Sequence, residues 1–442
     1  MNKRLLLIFV GAIVGLIVIV LGIAIACTPR QTAEKQNEQI TLTYWRLFDD
    51  KDKIQPLIDE YEKTHSNVKI EYRKLTFEEY EQQLNEAIAA GRGPDMFSIQ
   101  DTWMPEFYDK IAPIPEKDYA TGDYEREFYP AAKATVKDNR IYGIPISMDV
   151  LMLYVNGRLL NDAEAAPAPR TWEELTGVEG NPAKPGTLQK INNRQGDTFN
   201  RSAIALGNNR IPRSSDVLAL LMLQQRTNMV NEEKTQALYN LTQSVEGREE
   251  HLGTRALTFF NSFANSGTKN YSWNTQMGDA VTAFAQGRVA MMIGYAYHAP
   301  TIERLNPDLS YDISPVPQIA GTEPVNYASF WAETVSKTSQ HQQEAWEFIR
   351  FITERDQMIT YSELTRTIPA RKDANPANKL GGDVQKQLDT AVTWYKGDAT
   401  EADEIFRVMI DQVLKGEAPQ RAIDAAANRQ TGVYRKLQGQ GE

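Results

Sequence analysis

The sequence predicts an α/β fold in which helices cover a mostly parallel sheet, and three observations carry this prediction. Between residues 40 and 99, β-rich runs alternate with segments whose apolar residues recur at helical spacing. The resulting order of strand, helix, strand, helix and strand is typical of parallel strands joined by helical crossovers. The composition, with 41% hydrophobic and 24% charged residues, is that of a globular chain able to bury a sizeable core.

The elements of this first stretch follow from periodicity. In the first helix, Ile54, Leu57, Ile58 and Tyr61 form one apolar face, whereas alternation of Val68, Ile70 and Tyr72 with charged residues indicates a half-buried strand. Gly and Pro at 91–94 end the second helix. The predicted order is a strand at 40–45, a helix at 54–63, a strand at 68–73, a helix at 80–88 and a strand at 95–99.

The later chain continues the pattern of strands and helices. Residues 141–154 form a strand-like run interrupted by Pro145, which is long enough to pass from one lobe to another. Thr171 and Glu174 are spaced as a capping box at the start of a helix. An apolar run at 216–225 predicts a buried helix, and residues 289–293 predict a short buried strand.

The N-terminus carries a membrane signal. Lys3 and Arg4 precede an uncharged apolar run from Leu5 to Ala26, and about 20 apolar residues suffice to span a bilayer. Small residues before Cys27 resemble a bacterial lipobox, although Ala24 stands where that motif usually has Leu. We expect lipidation at Cys27, with an uncleaved helical anchor as the alternative. Both hypotheses place the remaining chain outside the cytoplasm, after a flexible polar tether at 28–38.

Several classes of function find no support in the sequence. The net charge of -10 and the pI near 5.2 argue against a nucleic-acid partner. The four histidines lack metal-ligand spacing, Cys27 is the only cysteine, and the nucleotide and hydrolase motifs are missing. We therefore predict no metal, no cofactor and no catalytic residue. Because Asp and Glu are plentiful, a pair of glycosidase carboxylates stays open.

Aromatic residues recur where predicted strands end. Trp45 closes the first strand, Trp103 follows the third just after Asp101, and Tyr295 and Tyr297 follow the strand at 289–293. Ligands of open α/β sheets bind beyond the carboxyl ends of the strands. An aromatic ring suits the C–H face of a sugar, and neighbouring polar groups can pair its hydroxyls. Core packing is the competing interpretation for each ring.

The chain resembles the family 1 extracellular solute-binding proteins, the group that includes the maltodextrin-binding proteins. The resemblance rests on motifs that occur in family order between residues 39 and 437, including G-x-x-P-D at 91–95, Y-G-I-P at 142–145 and A-F-x-x-G-R-x-A-M at 283–291. It also covers 153–156, the P-x-T-W-x-E-L stretch at 169–175, the helix at 344–351 and 367–371.

The resemblance implies a two-lobe, periplasmic-binding-protein-like fold of type II with a ligand cleft. The implied lobes are 39–148 plus 295–353 and 149–294 plus 354–442, after the anchor at 1–27. It also implies a monomer that delivers its ligand to the membrane permease of an ABC importer. The implied ligand-binding residues are Trp45, Asp101, Trp103, Asp149, Trp273, Tyr295, Tyr297 and Trp331.

The function predicted from the sequence is therefore that of a membrane-tethered extracytoplasmic protein that binds a sugar or oligosaccharide without transforming it. Two alternatives remain at this point. One is a secreted enzyme acting on glycosides, and the other is a ligand-sensing ectodomain that works with a partner.

Overall fold

The computed structural model describes residues 39–178, 181, 183–374 and 382–439, so the predicted anchor, Cys27 and the tether lie outside the described residues. The strands, in chain order, are β1 (Ile40–Leu47), β2 (Val68–Leu75), β3 (Met96–Gln100), β4 (Ile111–Ala112), β5 (Val136–Lys137), β6 (Arg140–Ile141), β7 (Ile144–Val150), β8 (Met152–Val155), β9 (Asn193–Gln195), β10 (Thr198–Ala205), β11 (Gln243–Val245), β12 (Arg248–Glu250), β13 (Val289–Gly294), β14 (Asp312–Pro315), β15 (Asn326–Ser336) and β16 (Ala391–Val392).

The helices, in chain order, are α1 (Lys51–Thr64), α2 (Phe77–Ala89), α3 (Met104–Phe107), α4 (Thr121–Glu127), α5 (Gly157–Asp162), α6 (Trp172–Thr176), α7 (Thr187–Ile191), α8 (Ser214–Gln224), α9 (Leu252–Ser262), α10 (Ala280–Ala285), α11 (Ala299–Leu305), α12 (Gln342–Ile352), α13 (Arg355–Thr365), α14 (Gly382–Leu388), α15 (Ala399–Leu414) and α16 (Pro419–Leu437). None of the helices in these described ranges has both the length and the apolarity to cross a bilayer.

The first sheet confirms the predicted parallel arrangement of the opening strands. Strand β1 pairs in parallel with β2 and with β3. The long strand β15 then runs antiparallel to β3 and β7. Helices α1, α12 and α13 bury apolar side chains on one face of this sheet, while α2 and α3 pack on the other. The carboxyl ends of β1, β2 and β3 consequently meet at one edge.

The second sheet has the order β14-β8-β13-β10-β9 and is less parallel than predicted. Strands β10 and β13 run parallel, whereas β8 runs antiparallel to both β13 and β14. Helices α8, α9, α15 and α16 cover one face, and α10 and α11 cover the other.

A buried amide ties together the segments that pass between the two sheets. The chain leaves the first sheet at Leu151, whose carbonyl oxygen accepts a hydrogen bond from Asn326 Nδ2 at 3.1 Å. The same nitrogen donates to Gln387 Oε1 at 2.7 Å, and that oxygen also accepts from Val316 N at 3.2 Å. Three crossing segments therefore meet at one side chain that is only 1% exposed. The first joins β7 to β8, the second joins β14 to β15, and the third runs from α14 through β16 to α15.

The strand pairing divides the chain differently from the boundaries that we predicted. Strand β14 belongs to the second sheet, although 295–353 was assigned to the first lobe. Helix α13 packs on α1 and β7 of the first lobe, although 354–442 was assigned to the second. A helical pattern shows which side of a helix is buried but not which sheet it covers. We propose instead that the first lobe ends near residue 150 and resumes at β15, and that α15 and α16 complete the second lobe.

Replacement of Asn326 by Ala is expected to lower the free energy of unfolding by at least about 2 kcal/mol. The variant leaves the Leu151 carbonyl and the Gln387 amide without this partner, and a buried unpaired polar group costs about 1–3 kcal/mol. Urea unfolding followed by circular dichroism measures the change. The exposed Asn161→Ala serves as the control and should stay within about 0.5 kcal/mol of wild type. Equal behaviour of the two variants would contradict the role given to Asn326.

Candidate functional site

Aromatic rings gather where β1, β2 and β3 end, and we call Phe48, Phe77 and Trp331 the aromatic platform. Phe48 and Phe77 are 59% and 54% exposed and stack with ring centroids 6.3 Å apart. The Trp331 ring meets Phe48 edge-on at 5.5 Å. Behind it lies the buried ring of Trp103, at 5.1 Å from Trp331. The platform thus presents a wide apolar surface at the carboxyl edge of the first sheet, supported by buried rings.

The backbone at Phe48 is held in an unfavourable conformation. Its φ of 73° lies in the left-handed region, and Asp49 N donates to Leu47 O across it at 3.0 Å, which closes a γ-turn. This turn is strained for a residue with a side chain. Strain of this kind persists only where the surroundings impose it, and it concentrates at binding sites.

A buried network of charged groups imposes this turn. The Arg46 guanidinium lies 3.0 Å from Asp49 and 3.2 Å from Glu333, and Tyr361 Oη donates to Asp49 Oδ2 at 2.7 Å. Glu333 also accepts hydrogen bonds from Tyr44 Oη and Ser98 Oγ, each at 2.6 Å. The network joins residues of β1, β3, β15 and α13 to Asp49, the residue after Phe48. These contacts hold the turn at Phe48 in place.

In the second lobe, two tyrosines follow β13. Tyr295 and Tyr297 stack with centroids 5.7 Å apart, and Tyr297 is 56% exposed. Asp149, at the end of β7, accepts backbone hydrogen bonds from Ala296 N at 3.0 Å and Tyr297 N at 3.4 Å. Burial raises the pKa of Asp149 to about 6, although these donors oppose the shift. Asp149 therefore connects the first sheet to the tyrosine turn of the second lobe.

A buried charged cluster lies beneath Tyr295, and it consists of Arg213, Asp216, Lys396 and Asp403. Asp216 is fully buried, and it pairs with Arg213 Nη2 at 2.6 Å and with Lys396 Nζ at 2.9 Å. Burial opposes ionisation of Asp216, but the two cations outweigh it and hold its pKa below the ordinary value. Lys396 Nζ also lies 2.7 Å from Asp403. Tyr295 Oη donates to Asp216 Oδ2 at 3.0 Å, so the cluster fixes the ring that supports Tyr297.

Two buried polar side chains lie near this cluster: Asp101 of the first lobe, and Tyr327 of β15, whose ring packs in the core of the second lobe. Asp101 accepts a hydrogen bond from Phe330 N at 3.2 Å, and burial raises its pKa to about 7 even though Phe330 N and Lys396 oppose the shift. Tyr327 is 1% exposed, and among the described residues its hydroxyl has no hydrogen-bond partner. The charges of Asp216 and Asp101 both act on this hydroxyl. The lobes therefore enclose polar groups with unused hydrogen-bonding capacity.

Six of the eight residues predicted for the ligand site fall into two groups, and the other two lie apart from them. Asp101, Trp103 and Trp331 lie together in the first lobe, and Asp149, Tyr295 and Tyr297 lie together at the start of the second. Trp45 lies instead in a groove beside α2, with the Arg73 guanidinium 4.6 Å from its ring centroid. Trp273 is 1% exposed in the core on the far face of the second sheet from Tyr295. Ligand contact by any of them remains a prediction.

Sequence reasoning missed four residues of this region: Phe48, Phe77, Arg213 and Tyr327. Phe48 follows β1 directly and Phe77 follows β2 after one residue, so the strand-end rule that selected Trp103 would also have found them. Arg213 and Tyr327 lacked any local signal, because their neighbours come from distant parts of the chain.

The chain matches the profile of the bacterial extracellular solute-binding proteins over residues 56–389. It belongs to this family. The resemblance expected from the sequence motifs is thereby confirmed, and the family is one of binding proteins located outside the cytoplasm.

Individual relatives of this solute-binding protein are distant in sequence. A putative binding protein of Brucella abortus (strain 2308) is 21% identical over 315 residues, which is 71% of each chain. A sugar-binding protein from Xanthomonas citri has a TM-score of 0.73 at 17% identity, with 90% of this chain and 98% of that chain covered.

A second solved structure shows the same fold. It is an ABC transporter solute-binding protein from Thermotoga lettingae bound with α-D-tagatose, with a TM-score of 0.66 at 21% identity and coverage of 89% and 100% of the two chains. These likenesses confirm the predicted two-lobe α/β fold class.

Replacement of Asp101 by Asn is expected to stabilise the protein at neutral pH. The folded pKa of about 7 lies above the ordinary value of 3.8, so the carboxyl group contributes fully to stability below about pH 4 and its contribution is lost as pH rises toward 7. At 1.36 kcal/mol per unit, the gain at pH 7.5 should reach at most about 4 kcal/mol.

Urea unfolding of the wild type and of Asp101→Asn at pH 4, 5.5 and 7.5 measures this difference. The gap between the two proteins should widen with pH, while the exposed Asp109→Asn should track the wild type throughout. A gap that is constant with pH would show that Asp101 does not titrate in this range.

Proposed function

We propose that this solute-binding protein captures a sugar or an oligosaccharide between its lobes and presents it to the membrane permease of an ABC importer. The observation that carries the proposal is the aromatic platform, which lies at the carboxyl ends of β1, β2 and β3 with half-exposed rings. Aromatic faces cover the apolar C–H face of a pyranose, and they bury much area at little entropic cost.

The polar groups between the lobes supply the second half of sugar recognition. The Tyr327 hydroxyl is buried without a partner among the described residues, and only one backbone donor satisfies Asp101. A sugar hydroxyl both donates and accepts, so it can pair with either group and remove the cost of leaving it unpaired. Aliphatic amino acids have no ring face that could stack on the platform.

The solved relatives support the same ligand class. The Xanthomonas citri protein is a sugar-binding protein, and the Thermotoga lettingae protein holds tagatose. Their low identity means that the particular sugar has to be measured for this chain. A thermal-shift screen over monosaccharides, disaccharides and maltodextrins, with amino acids and polyamines as the contrast, identifies the class. Ligand at 100 times its dissociation constant stabilises the folded state by about 2.7 kcal/mol.

Two further experiments, made with the sugars that the screen identifies, distinguish the alternative functions. Incubation with each stabilising oligosaccharide, followed by an assay for new reducing ends, tests the glycosidase alternative, which requires turnover. A sensing ectodomain would bind the sugar equally well, but deletion of the chain would leave sugar uptake intact. We expect stabilisation by sugars, no new reducing ends and loss of uptake. Stabilisation by amino acids or polyamines alone would contradict the proposal.

Replacement of Trp331 by Ala should weaken binding of the stabilising sugar at least tenfold. Truncation of an aromatic residue at the centre of a binding surface commonly costs about 2 kcal/mol or more, and about 1.4 kcal/mol corresponds to a factor of ten. Calorimetric titration measures the affinity, and thermal unfolding of the ligand-free protein should shift by only a few degrees.

Trp45→Ala is the matched control for this variant. Trp45 and Trp331 are both half-buried, and both pack against the same hydrophobic cluster of the first lobe. Only Trp331 belongs to the aromatic platform. Loss of sugar affinity in Trp331→Ala but not in Trp45→Ala is the expected outcome. A large loss of stability of the ligand-free protein, without a specific loss of sugar affinity, would show that Trp331 is a core residue and not a ligand-binding one.

We further propose that Cys27 carries a lipid that holds the protein at the outer face of the cell membrane. Small residues precede this cysteine, and Leu5–Ala26 supplies the apolar segment. Cys27→Ala should abolish incorporation of labelled fatty acid and leave the precursor at its full mass, as mass spectrometry would show. If the variant has the same mass as the wild-type protein, apart from the substituted side chain, and is retained in the membrane to the same extent, the result would favour an uncleaved helical anchor instead.

A further inference from the structure

A cavity of about 300 Å³ opens between the lobes, at the end of the cleft beside the third crossing segment. One wall comes from the first lobe through Asp101, Tyr108 and Lys133. The opposite wall comes from Tyr395 and Lys396 of the crossing segment and from Lys234 of the second lobe. Asp101 and Lys396 link this cavity to the polar groups described above.

Two lysines, one from each lobe, lie over tyrosine rings that line this cavity. Lys234 also lines the cavity itself, whereas Lys137 adjoins it through the ring of Tyr108. Lys137 Nζ lies 4.8 Å from the centroid of Tyr108, and Lys234 Nζ lies 4.9 Å from the centroid of Tyr395. Both lysines lie at tight turns, since Lys137 precedes two positive-φ residues in the β5–β6 hairpin and Lys234 itself has a φ of 57°. The two ammonium groups are therefore placed by backbone geometry and by cation–π contact.

The partners of these lysines differ from those of the other cations nearby. Lys396 lies between Asp216 and Asp403, and Lys133 lies 3.4 Å from Glu125. For Lys137 and Lys234, no carboxylate within the described ranges lies close enough to form an ion pair.

The two ammonium groups act on each other across the lobes. Burial lowers the pKa of Lys234, and the charge of Lys137 lowers it further, while Asp138 opposes the shift. Like charges that approach across an interface cost free energy unless a counter-charge lies between them. Because neither lysine forms an ion pair with a carboxylate in the described ranges, an anion between the two ammonium groups would lower this cost.

We propose that Lys137 and Lys234, which are both exposed, together bind an anionic substituent of the sugar, a carboxylate or a phosphate, at the mouth of this cavity. The inference rests on the proposed function, because it assumes that the lobes close on a sugar. Each lobe supplies one ammonium group, so the anion neutralises a repulsion that closure would otherwise retain. The rings of Tyr108 and Tyr395 flank the same space and limit its width.

The test compares glucuronate and glucose 6-phosphate with glucose, and inorganic phosphate serves as the probe for a free anion. Calorimetric titrations at about 20 and 150 mM salt are made on the wild type, Lys137→Met and Lys234→Met. Methionine keeps much of the side-chain volume and removes the charge. The exposed Lys117→Met in the first lobe is the matched control.

We expect the wild type to bind at least one of the two acidic sugars tenfold or more tightly than glucose. Each cleft variant should lose about tenfold of that affinity, with unchanged affinity for glucose and a weaker dependence on salt, while Lys117→Met behaves as the wild type. The glucuronate and phosphate arms identify which anion is preferred, and binding of inorganic phosphate alone would indicate a free-anion site and overturn the inference.

Two negative results remain distinguishable. If neutral sugars of the thermal-shift panel stabilise the protein but acidic sugars bind no better and the lysine variants change nothing, this inference fails and the proposed function stands. If no sugar of either kind stabilises the protein, both fail together.

Discussion

The relative placement of the two sheets depends on the buried amide of Asn326. Its nitrogen joins Leu151, where the chain first leaves the first lobe, to Gln387 in the third crossing segment. These bonds lie in a low-dielectric interior, where a missing partner is costly, so the three crossings are held in register at one point. We expect a relative motion of the lobes to pivot near this contact. A few residues at segment ends suffice to absorb such a rotation.

The two sides of the cleft are made rigid by different means. In the first lobe, the ion pairs of Arg46 maintain the strained turn at Phe48, and strand pairing places Trp331 opposite the end of β3. In the second lobe, Asp216 fixes Tyr295 by a hydrogen bond, and Tyr297 stacks on that ring. Each surface is thus organised within its own lobe. The main free-energy cost of binding a ligand would then be that of bringing the lobes together.

Periodicity predicted the opening elements because β1 to β3 and their helices obey local rules. Trp103 was found by the strand-end rule, whereas Trp45 lies before the end of β1, where alternation turns its side chain toward α2. The charged cluster could not be predicted from the sequence, since Asp216 and Lys396 are 180 residues apart and neither lies in a recognisable local pattern. The lobe boundaries that we propose differ from the predicted ones for the same reason, because packing against a particular sheet is a long-range property.

The lysines near the cleft are of two kinds. One kind is paired with carboxylates of the fold, and the other is available to a ligand. Lys396 is 1% exposed and has two carboxylate partners, because a buried ammonium without partners would lose its proton or destabilise the fold. Lys137 and Lys234 are exposed beside the same cavity, where water solvates them. Closure removes part of that water. A pair of lysines that is stable in the open protein therefore becomes a site for an anion when the lobes meet.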